Sequence, residues 1–145
     1  AEVDSSWSVL ARTKRQLDID TICIATGLRP LAKLALMVGC KMAHEPILGG
    51  WVPYHDARMQ TSIPDILVAG DVSGVEEAST ALEEGRLAGL SVAEALGKIG
   101  STEVKEEGER IRERLTSLRI GPFGLSRQYA KEHICKAGEA RCLAI

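Results

Sequence analysis

Hydrophobic and polar positions divide the chain into three stretches of different character. In the first, short apolar runs alternate with polar or turn residues. Residues 7–11 and 16–19 are expected to pair as β structure across the polar turn 12–15. Residues 21–25 (Thr-Ile-Cys-Ile-Ala) read as a buried strand that ends at Thr26-Gly27 and is stopped by Arg29-Pro30. Residues 31–38 read as a short apolar helix with Gly39 as its C-cap. Residues 47–54 read as a further strand with a Gly49-Gly50 turn. After the Pro64-Asp65 break, Ile66, Leu67, Val68 and Ala69 form a continuous apolar run, the pattern of a strand covered on both faces.

The second stretch is a helix over 76–96. Ala78, Ala81, Leu82, Gly85, Ala88, Gly89, Val92, Ala93 and Leu96 recur along one stripe. Most are small, which lets a helix lie close against a sheet or a bound ring. Glu76 and Glu77 fall in its first turn, where acids suit the positive helix end. The third stretch begins with a highly charged helix over 103–118, anchored by Val104, Ile111, Leu115 and Leu118, and expected to pack on a surface or a partner. Gly121-Pro122-Phe123-Gly124 reads as a break, 125–136 as a last helix, and 137–145 gives no clear signal.

The 145 residues suffice for one modest domain, and 45% apolar content is ordinary for a globular protein. Aromatics make up only 3%, so the core must be aliphatic. A net charge of -2 gives no basic field and argues against a nucleic-acid partner. No apolar run reaches the length of a membrane span and no secretory signal opens the sequence, so a cytoplasmic protein with free thiols is expected. Cys23 is expected to be a buried small hydrophobe and Cys40 part of a turn. Cys135 and Cys142 stand too isolated to make a metal site, and no histidine completes one. His44 and His55 are expected at the surface flanking a hairpin.

The candidate chemistry gathers at Gly70-Asp71. Gly70 lets another group approach the backbone where the run 66–69 ends, and Asp71 offers a carboxylate at a strand's carboxyl end, where ligands sit in open α/β sheets. Such a carboxylate accepts hydrogen bonds from sugar or polyol hydroxyls. A core strand ending in an N-cap aspartate would look the same locally; the surrounding residues favour the ligand. The segment Thr61 to Asp71 resembles the second FAD-binding motif of the two-dinucleotide-domain flavoprotein reductases, and Asp20 to Pro30 resembles the segment that closes their NAD(P)-binding domain. The resemblance implies that Asp71 bonds the ribityl chain of FAD and that Gly27 lets the backbone pass near the nucleotide. It also implies that the backbone of Glu77, Ala78 and Ser79, at the start of the following helix, faces the pyrimidine edge of the flavin. Helix N–H groups and dipole favour the negative charge that reduced flavin gathers there. Glu76 and Glu77 are then expected to turn to solvent.

The phrases Gly49-Gly50-Trp51-Val52-Pro53 and Glu76 to Arg86 narrow the resemblance to components of amine- and amino-acid-oxidising complexes: the alpha subunits of heterotetrameric sarcosine oxidase and dye-linked proline dehydrogenase, and hydrogen cyanide synthase relatives. Two features depart from the pattern. No G-x-G-x-x-G loop, which would cradle a dinucleotide pyrophosphate, occurs, and neither does a redox dithiol. The expected fold is therefore α/β: a partial FAD/NAD(P)-binding, Rossmann-like, three-layer domain lacking its N-terminal dinucleotide-binding βαβ unit. Residues 1–30 would end the NAD(P)-binding domain, 31–100 would form the C-terminal part of the FAD-binding domain, and 101–145 a helical extension. The expected function is that of a C-terminal segment of an FAD-dependent oxidoreductase, with NAD(P) as a second cofactor. Its partners would be the rest of the flavoprotein, or other subunits, and a small-molecule substrate. The rivals are a non-catalytic partner-binding fragment and a thioredoxin-reductase-like or NADH-oxidase-like reductase.

Overall fold

The computed structural model of the chain describes residues 1–6 and 8–142, with side chains to residue 140. In chain order it contains helix α1 (Lys33–Met37), strands β1 (Met42–Glu45) and β2 (Gly50–Pro53), and helices α2 (Ala78–Ala95), α3 (Ser101–Leu118) and α4 (Gly121–Cys142). Two 3-10 turns, Pro46–Leu48 and Gly70–Ser73, fall between them. The chain is thus a mixed helix–strand protein.

Strands β1 and β2 form an antiparallel hairpin in the register Met42 to Pro53 and Glu45 to Gly50. The turn is not the bare Gly49-Gly50 pair expected. Pro46 opens a 3-10 turn, the Glu45 carboxylate accepts the Ile47 N–H at 3.2 Å, and Gly49 closes the turn in the left-handed region. This geometry buries Leu48 and Val52 against Ala130 and Ile134 of α4, making one of two cores. The second packs Met59 and Leu87 of α2 against Ile111 and Leu115 of α3. Ile111 and Leu115, four residues apart, lie on one helical face, whereas Leu118, an expected anchor, is exposed.

Four expectations change. Residues 66–69 do not form a two-sided buried strand. They run extended with one antiparallel bridge, Gln60 to Leu67, made by the Thr61 N–H to the Ile66 carbonyl at 2.9 Å and the Val68 N–H to the Met59 carbonyl at 3.0 Å. A fully covered strand needs hydrogen-bonding neighbours on both edges, and the described residues supply one. Sheet structure among the described residues is the single hairpin, so the third layer is not seen within them. Residues 21–25 are likewise unpaired, with Cys23 exposed rather than buried and Ile22 72% exposed. Of the strand expected over 7–11, Trp7 lies outside the described residues, and Val9 makes an isolated bridge to Val3.

The third change is in α2. The face it buries is Thr80, Glu83, Glu84, Leu87 and Ser91, while the small-residue stripe faces outward, with Leu82, Val92 and Leu96 exposed. Fourth, α4 starts at Gly121 and runs to Cys142, so the expected break 121–124 is its first turn, where Pro122 is tolerated. The real break is Arg119-Ile120. Residues 143–145 lie outside the described residues, and Cys135 is a free thiol. Among the described residues no helix is long and apolar enough to cross a membrane, and no cluster of His, Cys, Asp and Glu could hold a metal ion.

Candidate functional site

The chain reaches Gly70 extended and then tightens into the 3-10 turn. Gly70 has φ +72°, and a Cβ there would stand 3.2 Å from the Ala81 Cβ, so the residue satisfies both a left-handed backbone and a close approach to α2. Asp71 is exposed, and its carboxylate has no hydrogen-bond partner among the described residues. Its carbonyl accepts the Gly74 N–H at 3.1 Å. Gly74, at φ +135°, allows the turn to seat on Leu48 and Lys131, each about 3 Å from where a Cβ would be.

Glu77 is the N-cap of α2, and its side chain does not cap the helix. The first helical bond runs from Ala81 N–H to the Glu77 carbonyl, so the amides of Ala78, Ser79 and Thr80 precede the ladder. Glu77, Ala78 and Ser79 are all exposed. A cleft of about 430 Å³ opens at this helix end, walled by Glu76, Glu77 and Thr80 on one side and Ile120, Phe123 and Arg127 on the other. Gly70 meets α2 at Ala81, but neither Gly70 nor Asp71 lines this cleft. Gly27 is exposed, and a Cβ there would meet nothing within 4 Å among the described residues. The residues that follow it do reach the site: Pro30 and the Leu28 carbonyl abut Gly49, beside Val75. The Asp20–Pro30 segment therefore reaches the hairpin turn through Leu28 and Pro30 and not through Gly27 itself.

A buried polar cluster has no local signature in the sequence. Glu84 is 3% exposed and Lys131 4%, and both sit behind the turn. Glu84 Oε1 accepts from Lys131 Nζ and from Arg119 Nη2, each at 2.7 Å. Glu84 Oε2 accepts from the Gly70 N–H at 2.9 Å and the Ser73 hydroxyl at 2.8 Å. Arg119 also holds Glu76 through Nη2 at 2.6 Å and Nε at 3.0 Å. Glu76 is therefore buried in an ion pair and not turned to solvent as expected; Glu77 does face solvent. Two acids meet two bases, so the cluster is neutral. Burial alone would raise the Glu84 pKa. Lys131, Ser73 and Arg119 together outweigh it and hold the carboxyl below its ordinary value. No local pattern announces the cluster, because 35 and 47 residues separate Glu84 from its basic partners.

His55 is buried and not at the surface. Its Nδ1 faces the Asp56 carbonyl at 3.0 Å, and Nε2 has no partner among the described residues. A carbonyl can only accept, so Nδ1 carries the proton. Desolvation lowers the His55 pKa and outweighs the hydrogen bond to the Asp56 carbonyl, which raises it; the Lys131 charge lowers it further, against the smaller charge effects of Glu84 and Asp56. The ring borders a cavity of about 200 Å³ with Met59, Leu87, Leu115 and Cys135. Burial, with Glu139 and Asp56 nearby, pushes the Cys135 thiol up to about 11, so it stays protonated and is no nucleophile at neutral pH.

Both depressed groups make acid destabilising. An unfolded His55 takes a proton near pH 6.5 that the folded one refuses, so stability is complete above that pH and falls below it. An unfolded Glu84 takes one near 4.5, adding a second loss below that pH. The thermal midpoint should accordingly fall in two stages on acidification, and His55→Gln should remove the upper stage alone. A midpoint that stays level from pH 7 to pH 5 in the wild type would contradict this.

The family model for pyridine nucleotide-disulphide oxidoreductases matches residues 1–85, more than half the chain. The chain belongs to the pyridine nucleotide-disulphide oxidoreductase family. Oxidoreductase is the enzyme class of that family, and flavin and pyridine nucleotide, the cofactors expected from the sequence, are the cofactor classes it brings. Among curated relatives, an opine oxidase subunit from Rhizobium meliloti (strain 1021) is 29% identical over 89 residues, covering 61% of this chain and 19% of that protein. NADH oxidase of Methanocaldococcus jannaschii is 31% identical over 113 residues, covering 63% of this chain and 24% of that protein. The chain thus spans a fifth to a quarter of the length of these relatives. No solved structure matches it. At the surface the chain presents an acceptor, the Asp71 carboxylate, and donors, the first amides of α2.

Proposed function

We propose that this chain supplies the C-terminal wall of the FAD site in an FAD-dependent oxidoreductase that passes hydride or electrons between NAD(P), or an amine or amino-acid substrate, and FAD. In this reading residues 1–30 end the NAD(P)-binding domain, 31–100 complete the FAD-binding domain, and 101–145 form a helical extension. The three-layer arrangement arises when the rest of the flavoprotein, or partner subunits, pairs with the extended segments 21–25 and 66–69. The flavin, when bound, accepts and releases the electrons. This chain's residues bind and orient it: Asp71 through the ribityl hydroxyls, Glu77, Ala78 and Ser79 through backbone amides, and Gly27 by letting the backbone pass the nucleotide. The phrase Gly49 to Pro53 and the run Glu76 to Arg86 favour the amine- and amino-acid-oxidising branch, and the Rhizobium relative, named as one component of an opine oxidase, suits a multi-chain setting.

The observation that carries the reading is the Asp71 carboxylate, at the surface and unpartnered among the described residues, on a turn whose backbone is locked from behind by Glu84. The unburied apolar side chains support the larger assembly. Ile22, Ile24, Leu28, Leu31 and Leu34, with the outward stripe of α2, leave more apolar surface open than a finished monomer shows. An exposed free thiol at Cys23 suits a reducing cytoplasm. A second reading, an NADH-oxidase-like reductase, draws on the Methanocaldococcus relative. Turnover with NADH and oxygen, and none with amines or amino acids, would select it.

The test is Asp71→Ala in the complete flavoprotein. Loss of a charge-assisted hydrogen bond should weaken FAD by roughly 1.5–3 kcal/mol, about tenfold to a hundredfold in Kd. Unchanged FAD affinity would reject the assignment. The isolated chain should release FAD on desalting, and retention of stoichiometric flavin would reject its role as one wall of a larger site.

A further inference from the structure

We propose that Glu84 is the positioning residue of the Gly70–Asp71 turn, and that α3 and α4 serve the flavin site by holding Glu84 in place through Arg119 and Lys131. The inference rests on the reading of Asp71 as a flavin contact. It gives the C-terminal helices a task that the family match, which stops at residue 85, does not.

The two oxygens of Glu84 divide the work. Oε2 takes the N–H of Gly70 and the hydroxyl of Ser73, the first and last residues of the 3-10 turn, so one atom pins both ends. The Gly70 N–H belongs to the peptide just ahead of the Gly70–Asp71 unit, and fixing it fixes where the Asp71 Cα–Cβ bond emerges. Oε1 takes Lys131 Nζ from α4 and Arg119 Nη2 from the end of α3. Lys131 Nζ also donates to Ser73 Oγ at 2.8 Å, tying α4 directly to the turn. The Ser73 hydroxyl has one proton for two acceptors, Glu84 Oε2 and the Gly70 carbonyl, both at 2.8 Å. Either arrangement closes the turn. Arg119 is held on its far side by Glu76, so it cannot swing away from Glu84 without breaking a second pair.

Glutamine is a poor substitute at position 84. Gly70, Lys131 and Arg119 approach the carboxylate as obligate donors, and a carboxamide must turn its NH₂ toward one side of them. Glu84→Gln should therefore free either the turn or the helices, in a side chain of unchanged size.

The experiment pairs two measurements. In the 145-residue chain, the Gly70 amide proton should move upfield in Glu84→Gln, and more weakly in Lys131→Met. In the FAD-loaded flavoprotein, Glu84→Gln should raise the FAD Kd by roughly tenfold, and Lys131→Met by less. In an Asp71→Ala background the Glu84→Gln effect should vanish, because it acts through Asp71; a merely structural role would leave it intact. An unmoved Gly70 amide overturns the inference, as does an unchanged FAD Kd in Glu84→Gln when Asp71→Ala weakens FAD. If Asp71→Ala itself binds FAD like the wild type, the flavin reading fails, and this inference with it. Should Glu84→Gln not fold, Ser73→Ala removes one end of the grip while sparing the ion pairs, and must reproduce both effects.

Discussion

Glu84→Ala is expected to lower folding stability by about 3–5 kcal/mol. The buried cluster is neutral as built, with Glu76 and Glu84 against Arg119 and Lys131. Removing Glu84 leaves two buried cations facing one acid. Arg119 keeps its two-point grip on Glu76, which leaves Lys131 with a single carboxylate 3.7 Å away. A lysine 4% exposed cannot recover its hydration without moving α4. The Gly70 N–H and the Ser73 hydroxyl lose their shared acceptor in the same step. Urea unfolding followed by circular dichroism would measure the loss. A shift of under about 1 kcal/mol would mean that water enters and solvates the cluster, placing it in the class of exposed ion pairs.

What is legible in the sequence follows a physical line. Local patterns are readable: α2 and α3 lie within a few residues of the expected spans, and Gly49 closes a hairpin turn. Gly70 and Asp71 fall on a turn at the end of an extended apolar run, and the family match covers both motifs. Patterns that depend on distant neighbours mislead. Ile66 to Ala69 and Thr21 to Ala25 have the composition of central strands, but strand identity requires edges to pair with, and the described residues offer few. The α2 stripe stands out by its small apolar residues, yet within this chain the helix buries Glu83 and Glu84, because Arg114, Arg119 and Lys131 arrive from α3, α4 and their junction to neutralise them. Charge complementarity between residues tens of positions apart leaves no periodic trace. His55 flanks a hairpin, which by itself predicts exposure. The length of α4, with Gly138 packed onto the His55 backbone so closely that a Cβ would overlap it, is what buries it.

Ile134→Ala should cost about 2–5 kcal/mol, and the effect should reach the turn. Ile134 is 1% exposed and fills the core between α4 and the hairpin, against Leu48 and Val52. Those residues cannot collapse far into the space it leaves. Leu48 lies against Gly74, and the Leu48 carbonyl accepts the Val75 N–H at 3.1 Å. Lys131 sits three residues before Ile134, one turn away on the same face. Loosening α4 at Ile134 therefore lengthens the Lys131–Glu84 pair as well. Two routes to one undocked helix do not add, so Ile134→Ala combined with Glu84→Ala should destabilise by clearly less than the sum of the single changes. Strict additivity in denaturant unfolding would mean that α4 stays seated without either contact. The link from the C-terminal helix to the Asp71 turn would then have to run through Gly138 and His55 instead.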